Sequence, residues 1–251
     1  MRALVAGGSG NIGGAIVRVL AERGFAVTVA DQAPVPAPTS ESTADSVVAD
    51  LSTESGVTEA VKVAAGDAGL DALVCAIGIS PKKNGRKRPI TDIDVAEWER
   101  VFAVNLTSAF LLLRAATPVL VPHANSSVVN IVSSVARLGA AGPDGSTFGP
   151  RHPAGAHYCA SKAALASLTV SASRELAPLG IRCNGVAPGF IGAGMGGATE
   201  PGLRHQIVAD LPLGRPGSED EVAQVVGFLV SENASYITGE IVDVDGGWNP
   251  G

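Results

Sequence analysis

The run RALVAGGSGNIG, Arg2–Gly13, carries a short apolar β-like stretch into a glycine-rich turn and on into the helical pattern Gly14–Arg23. Glycines at a strand-to-helix turn let the backbone approach a pyrophosphate, which then meets the open N–H groups of the helix N-terminus. Gly7, Ser9, Gly10, Asn11, Ile12 and Gly13 are therefore candidate phosphate contacts. A glycine turn alone also reads as nothing more than a tight turn. Its place after the first strand and before a helix favours the phosphate reading. Asp31 closes the second β-like stretch, 18 residues beyond Gly13. A carboxylate there accepts hydrogen bonds from both ribose hydroxyls and repels a 2′-phosphate, which favours NAD over NADP. Asp50 and Leu51, ending the third stretch, are candidates for adenine contact.

Working outward, β-like runs at 2–6, 25–30, 46–49, 71–76, 127–133, 181–187 and 240–244 alternate with helical patterns near 12–23, 53–65, 94–121, 157–177 and 219–231. The runs are rich in Val, Ile, Leu and Ala without polar alternation, as strands covered on both faces are. Such alternation predicts an α/β chain with one doubly wound parallel sheet of about seven strands, helices on both faces and right-handed crossovers. Residues 1–251 read as a single domain. Three segments break the rhythm: 32–45, with three prolines and no helical period; 137–156, a long Gly/Pro loop; and 190–205, also loop-like.

Composition narrows the function. The 251 residues are 46% hydrophobic and 17% charged, enough to bury a sizeable core and inconsistent with global disorder. A net charge of −6 and only 4% aromatic residues argue against a nucleic-acid surface. Cys75, Cys159 and Cys183 form no CxxC pair, which points to a reducing compartment. His152 and His157 read as packing or surface residues, and no metal site is predicted. No uninterrupted apolar window approaches a membrane span, so a soluble, cytoplasmic protein with no membrane partner is expected.

Tyr158 and Lys162 open the helical pattern 157–177 at positions i and i+4, one turn apart on one face. An ammonium fixed beside a phenol favours the phenolate, so the expectation is a tyrosine pKa brought down toward neutrality and a usable acid or base. Alone, the pair also reads as an ordinary surface couple. Ser133 and Ser134 end the run 127–133 at the sheet edge where open α/β folds bind ligands, and a hydroxyl there can hold a substrate oxygen as charge develops on it.

This order of motifs resembles the short-chain dehydrogenase/reductase family, in its single-domain branch of Rossmann-type NAD(P)-binding folds, over the whole chain. The resemblance implies that Tyr158 is the catalytic acid/base, that Lys162 tunes it and holds the nicotinamide ribose, and that Ser134, the second of the serine pair, positions the reacting oxygen. It further implies that Asn105 holds a proton-relay water, that Ala76 and Gly78 border the cofactor, and that Pro188 and Ile191 offer backbone groups to the carboxamide. The implied activity is NAD-dependent interconversion of a secondary alcohol and a ketone by a homodimer or homotetramer, with helices 101–121 and 157–177 as the interface. The chain departs from the family pattern at Ala6, at Asn11, at Cys75-Ala76-Ile77-Gly78, and at Gly192–Gly197, where a threonine is expected. The spacing of 24 between Ser134 and Tyr158 is also long and requires 137–156 to loop out over the cleft.

Five basic residues, Lys82, Lys83, Arg86, Lys87 and Arg88, fall within seven positions of an acidic chain. They read either as attracting an anionic small-molecule substrate or as a solvated loop or subunit contact. Loops 80–90, 137–156 and 190–205 are expected to shape the substrate pocket. Two alternatives stand beside the dehydrogenase reading: an NADPH-dependent 3-oxoacyl-thioester reductase, and a dinucleotide sensor that keeps the fold without catalysis.

Overall fold

The computed structural model describes residues 1–34, 43–84, 86–120, 126–139, 154–192 and 200–249. In chain order the elements are β1 (Arg2–Ala6), α1 (Asn11–Glu22), β2 (Ala26–Asp31), β3 (Thr43–Val48), α2 (Glu54–Ala65) and β4 (Ala72–Cys75). There follow β5 (Lys82–Lys83), β6 (Arg86–Lys87), α3 (Val95–Phe102), α4 (Ser108–Ala116), β7 (Ser127–Ile131), α5 (Val135–Leu138) and α6 (Ala156–Leu176). The chain ends with β8 (Arg182–Pro188), α7 (Pro201–Asp210), α8 (Glu219–Leu229) and β9 (Ile241–Val244). Seven strands form one parallel sheet in the order β3-β2-β1-β4-β7-β8-β9.

The apolar runs are continuous because both faces of the sheet are covered. On β1, Leu4 and Ala6 pack with Val57, Ala60 and Val61 of α2, Leu112 of α4 and Leu165 of α6, whereas Ala3 and Val5 pack with Ile16 and Leu20 of α1 and Val222 and Val226 of α8. Fully buried side chains such as Leu4, Leu73, Leu112 and Leu165 each contribute about 2 kcal/mol to this two-layer core. The strand order reverses between β1 and β4, which opens a crevice at their C-terminal ends, the place where open α/β sheets take ligands.

Four sequence expectations are revised. Residues 201–210, expected in a loop, form α7, which Glu200 caps by accepting from the N–H groups of Gly202 and Leu203, with Pro201 in the first turn. The basic cluster is an antiparallel hairpin pairing Lys82 with Lys87, and Asn84 in its turn adopts a φ of 53°. The pattern 94–121 is interrupted by a π-helical turn, Ala103–Thr107. Of 137–156, residues 137–138 end α5 and 156 begins α6, while 140–153, including His152, lie outside the described residues. The helical run Val95–Val119 has the length and hydropathy of a membrane span, but its buried face, with Leu111, Leu112 and Ala116, is part of the sheet's core.

Candidate active site

The glycine turn is built by close backbone approach. Gly7 sits at φ +85°, and a Cβ on it would stand 2.7 Å from the Ala76 carbonyl oxygen. One on Gly13 would stand 2.1 Å from the Gly7 oxygen, so α1 can start against β1 only with glycine there. Gly10 caps α1 without a side chain, and no acidic residue occupies the first turn, which leaves its amides open to an anion. The Asp31 carboxylate accepts from the Ser9 N–H at 3.1 Å and the Ala33 N–H at 3.1 Å, which fixes it at the rim of a cleft of about 360 Å³. Gly7, Ser9, Gly10, Leu51, Ala76 and Gly78 share this cleft. Asp50 does not line it. Its Oδ1 is taken by the Ser52 N–H and hydroxyl and by the Gln32 amide, and those bonds, the Ser52 hydroxyl foremost, hold its pKa below the ordinary value.

A second cleft, of about 330 Å³, shares Gly10, Ala76, Ile77 and Gly78 with the first and adds Asn11, Ile12, Gly13, Ser133, Ser134, Tyr158, Lys162, Pro188 and Ile191. The two form one trough from Asp31 to Tyr158, with the proportions and chemistry of a dinucleotide site. At its far end Ile191 bridges Gly217: the Gly217 N–H donates to the Phe190 oxygen and the Gly192 N–H to the Gly217 oxygen. That pairing uses the groups on either side of Ile191, so its own N–H and C=O point away from Gly217. The Pro188 carbonyl already accepts from the Ser134 N–H at 3.0 Å.

The inner face of α6 is polar at helical spacing. Tyr158, Lys162 and Thr169 are 7%, 2% and 0% exposed, and such groups are costly to bury without partners. Thr169 accepts from the Asn130 amide at 2.9 Å, and Lys162 Nζ donates to the Ile131 carbonyl at 2.8 Å and more weakly to Ile77 at 3.4 Å. Asn105, in the π turn, clasps Ile79, its Oδ1 accepting from the Ile79 N–H at 2.8 Å and its Nδ2 donating to the Ile79 carbonyl at 3.0 Å; Nδ2 also donates to Ser161 Oγ. Asn105 lines neither cleft but lies behind Gly78, beside Lys162.

One expectation about chemistry changes. Ser133 and Ser134 both line the cleft that holds Tyr158. Ser134 opens α5 with helical dihedrals, and its carbonyl accepts from the Asn249 amide at 3.1 Å. The tyrosine is not shifted toward neutrality. Burial pushes the Tyr158 phenol up to about 12, against the opposing pull of the Ser133 hydroxyl. Lys162, 6.0 Å from the ring centroid, is itself pushed down to about 8 by burial. Desolvation of both groups outweighs their mutual attraction. Cys159, beside Tyr158 in sequence, is buried with Val135 and Ala154 and pushed up to about 11, an inert thiol.

The substrate half has walls that sequence reasoning missed: Phe190, Glu219 and Trp248. Trp248 stacks edge-on against Phe190 at 6.2 Å and joins Ile207 of α7 and Leu211, which caps it, so the segment Trp248–Asn249 braces both that helix and the serine turn. Residues this distant in sequence leave no local pattern to read.

A strand order reversing at a glycine turn, an acid closing β2 and a Ser–Tyr–Lys cluster at the C-terminal sheet edge define an oxidoreductase built around a nicotinamide dinucleotide. The family model described as enoyl-(acyl carrier protein) reductase matches residues 6–249, and the chain belongs to the short-chain dehydrogenase/reductase family. It is 33% identical to a 3-oxoacyl-[acyl-carrier-protein] reductase of Staphylococcus aureus, covering 98% of this chain and 96% of the relative. It is 35% identical to a cis-4-hydroxycyclohexanecarboxylate dehydrogenase of Sinomonas cyclohexanicum, covering 98% and 95%. Among solved structures it resembles a Brucella melitensis 3-oxoacyl-[acyl-carrier protein] reductase with bound NAD (TM-score 0.81, 30% identity, covering 99% of this chain and 91% of the other). It also resembles a blue fluorescent protein from a metagenomic library in complex with NADPH (TM-score 0.80, 27% identity, 99% and 97% covered). The chain is an oxidoreductase acting on CH–OH donors or the corresponding carbonyls of small molecules.

Proposed function

We propose that this protein is an NAD-dependent oxidoreductase interconverting a secondary alcohol and a ketone, with Tyr158 as the acid/base. The observation that carries this reading is the Tyr158 phenol, gathered with Ser133, Ser134 and Lys162 in the cleft that continues to Asp31. When bound, NADH would supply the hydride and NAD would accept it. Ser134 holds the reacting oxygen, and the neutral phenol donates its proton to a carbonyl oxygen in the reducing direction and recovers one in the other. Lys162 and the Ile191 backbone fix the nicotinamide end, and Asn105 positions the Ile77–Ile79 wall. Asp31, held by two backbone N–H groups, favours ribose hydroxyls over a 2′-phosphate. We read the protein as a soluble, cytoplasmic homo-oligomer assembled through α4 and α6.

A second reading, an NADPH-dependent 3-oxoacyl-thioester reductase, is favoured by the likeness to reductases of that name. Absorbance at the reduced-nicotinamide band separates the two. Wild type and Tyr158→Phe are each given NAD or NADP with secondary alcohols, hydroxy acids and hydroxyacyl thioesters, and the reduced cofactors with the ketones. Turnover by wild type with NAD, lost in Tyr158→Phe while NADH still binds, is expected. Turnover retained in Tyr158→Phe overturns the assignment of the acid/base, and a preference for thioesters with NADPH establishes the second reading.

A further inference from the structure

Ser134 is placed by its main chain. It lies just beyond β7, at the head of α5, a helix of four residues, and a single helical turn does not hold its own shape. What holds this one comes from distant parts of the chain. The Ser134 N–H donates to the Pro188 carbonyl, at the end of β8, at 3.0 Å. The Ser134 carbonyl accepts from the Asn249 side-chain amide at 3.1 Å, and from the Arg137 N–H only at 3.4 Å. Arg137 in turn reaches β9, its guanidinium donating to Asp243 at 2.9 Å and to the Ile241 carbonyl at 3.3 Å.

Asn249 is itself firmly held. Beyond β9 the chain turns back at Gly246 and Gly247, at φ +68° and +80°. The Asp245 carboxylate fixes that turn: Oδ1 accepts from the Gly247 N–H at 2.9 Å and Oδ2 from the Asn249 N–H at 2.8 Å. The turn rests on the residue after Pro188. The Gly189 N–H donates to the Val244 carbonyl at 2.9 Å, and a Cβ on Gly189 would stand 2.6 Å from the Asp245 Cα. A closed circuit results, running from Ser134 through Pro188–Gly189, Val244–Asp245 and Asn249 back to Ser134.

The side-chain amide gains the fold little. The atom that meets the Ser134 carbonyl is Nδ2, because only the NH₂ end of an amide donates. Oδ1 is left buried, with no donor among the described residues. One hydrogen bond made and one acceptor stranded nearly offset each other in stability. That separates this contact from ordinary packing, and a stranded polar atom calls for an account of what its group accomplishes. We propose that Asn249 is a positioning residue for the reaction: its amide fixes the Ser134 main chain, and with it the place of the Ser134 hydroxyl in the cleft beside Tyr158. This rests on the reading of Ser134 as the group that holds the reacting oxygen. Trp248, the preceding residue, lines the same cleft, so one turn sets both a wall of the site and its serine, 115 positions away in sequence.

The test is a double-mutant cycle on kcat. Asn249→Leu, Asn249→Asp (the same shape without the donor) and Asn249→Gln (the amide kept) are made in wild type and in Ser134→Ala. All are assayed on the alcohol or ketone that wild type turns over best, with NADH affinity by fluorescence titration and Tm by circular dichroism. Displacing a reacting group by about 1 Å can cost about 10²-fold. With the serine present, Asn249→Leu and Asn249→Asp should therefore each lower kcat by about tenfold or more while NADH affinity changes by less than about threefold. In Ser134→Ala the same substitutions should lower kcat by less than about threefold, because the group they displace is already gone. Asn249→Gln should lie closer to wild type than either. Equal losses in the two backgrounds, or no loss with the serine present, overturn the proposal while leaving the dehydrogenase reading intact. Should Asn249→Leu fail to fold, Asn249→Asp carries the cycle; should both fail, the amide supports the fold and not the serine, and the proposal falls. Ser134→Ala as active as wild type removes the serine's role and the proposal with it. If wild type binds NADH but turns over no alcohol or ketone, the reading of the cleft fails and takes the proposal with it.

Discussion

Replacing Lys162 by methionine should make this protein more stable at neutral pH while abolishing its activity. A lysine held at about 8 instead of its ordinary 10.5 costs the fold about 3 kcal/mol for as long as it remains charged, at about 1.4 kcal/mol for each tenfold change in proton affinity. Below pH 8 the group is protonated in both the folded and unfolded chain, so the folded state bears the whole penalty. As the pH climbs from 8 toward 10.5 the folded lysine sheds its proton first and the penalty fades. Methionine has nearly the same length and no charge to bury, but it deprives the Ile131 and Ile77 carbonyls of their donor, a loss of about 1 to 2 kcal/mol. The balance at pH 7 is a gain of about 1 to 2 kcal/mol, or roughly 3 to 6 °C in Tm for a chain of this size. Above pH 10 only the lost hydrogen bonds remain, so the order of stabilities should invert. Thermal or urea unfolding of both proteins from pH 7 to pH 10.5, followed by circular dichroism, measures the crossing. A variant less stable at pH 7, or a difference that does not change with pH, would refute the claim that burial of this charge opposes folding.

Three further outcomes follow from the same geometry. Ser134→Ala should lower kcat by about 10²- to 10³-fold, as loss of one donor at a developing oxyanion does, and Ser133→Ala by less than tenfold; the reverse order in steady-state assays would move the role to Ser133. Gly13→Ala places a methyl 2.1 Å from the Gly7 oxygen, so NADH affinity by fluorescence titration should fall at least about a hundredfold, and undiminished binding would show that the turn can relax. Asp31→Ser removes a carboxylate poised for two ribose hydroxyls, worth about 3 kcal/mol in charge-assisted bonds. It should shift the NAD-over-NADP ratio of kcat/KM at least about a hundredfold toward NADP, and an unmoved ratio would mean that Asp31 does not meet the ribose.

The parts legible in the sequence are those where one local rule decides. β1, β4 and β7 are covered on both faces, so each reads as an apolar run, and the glycine turn is marked by the residues that close packing demands. Tyr158 and Lys162 are found because a helix turn brings i and i+4 together. α7 carried a signal that the glycine-rich segment before it obscured: Leu203, Ile207 and Leu211 recur every fourth residue behind Glu200 and Pro201. The Asn84–Gly85 pair likewise marked a tight hairpin inside what reads as a charge run.

The electrostatics of the pair were out of reach for a different reason. Spacing places an ammonium near a phenol and supplies the attractive part of their interaction, but the opposing part depends on how much water each group loses. That loss is set by Val135, Ala154, Phe190 and Trp248, which arrive from three other stretches of the chain. The same enclosure pushes Tyr158 up and Lys162 down. The reactivity of this pair therefore has its physical origin in the exclusion of water by side chains that no local motif announces.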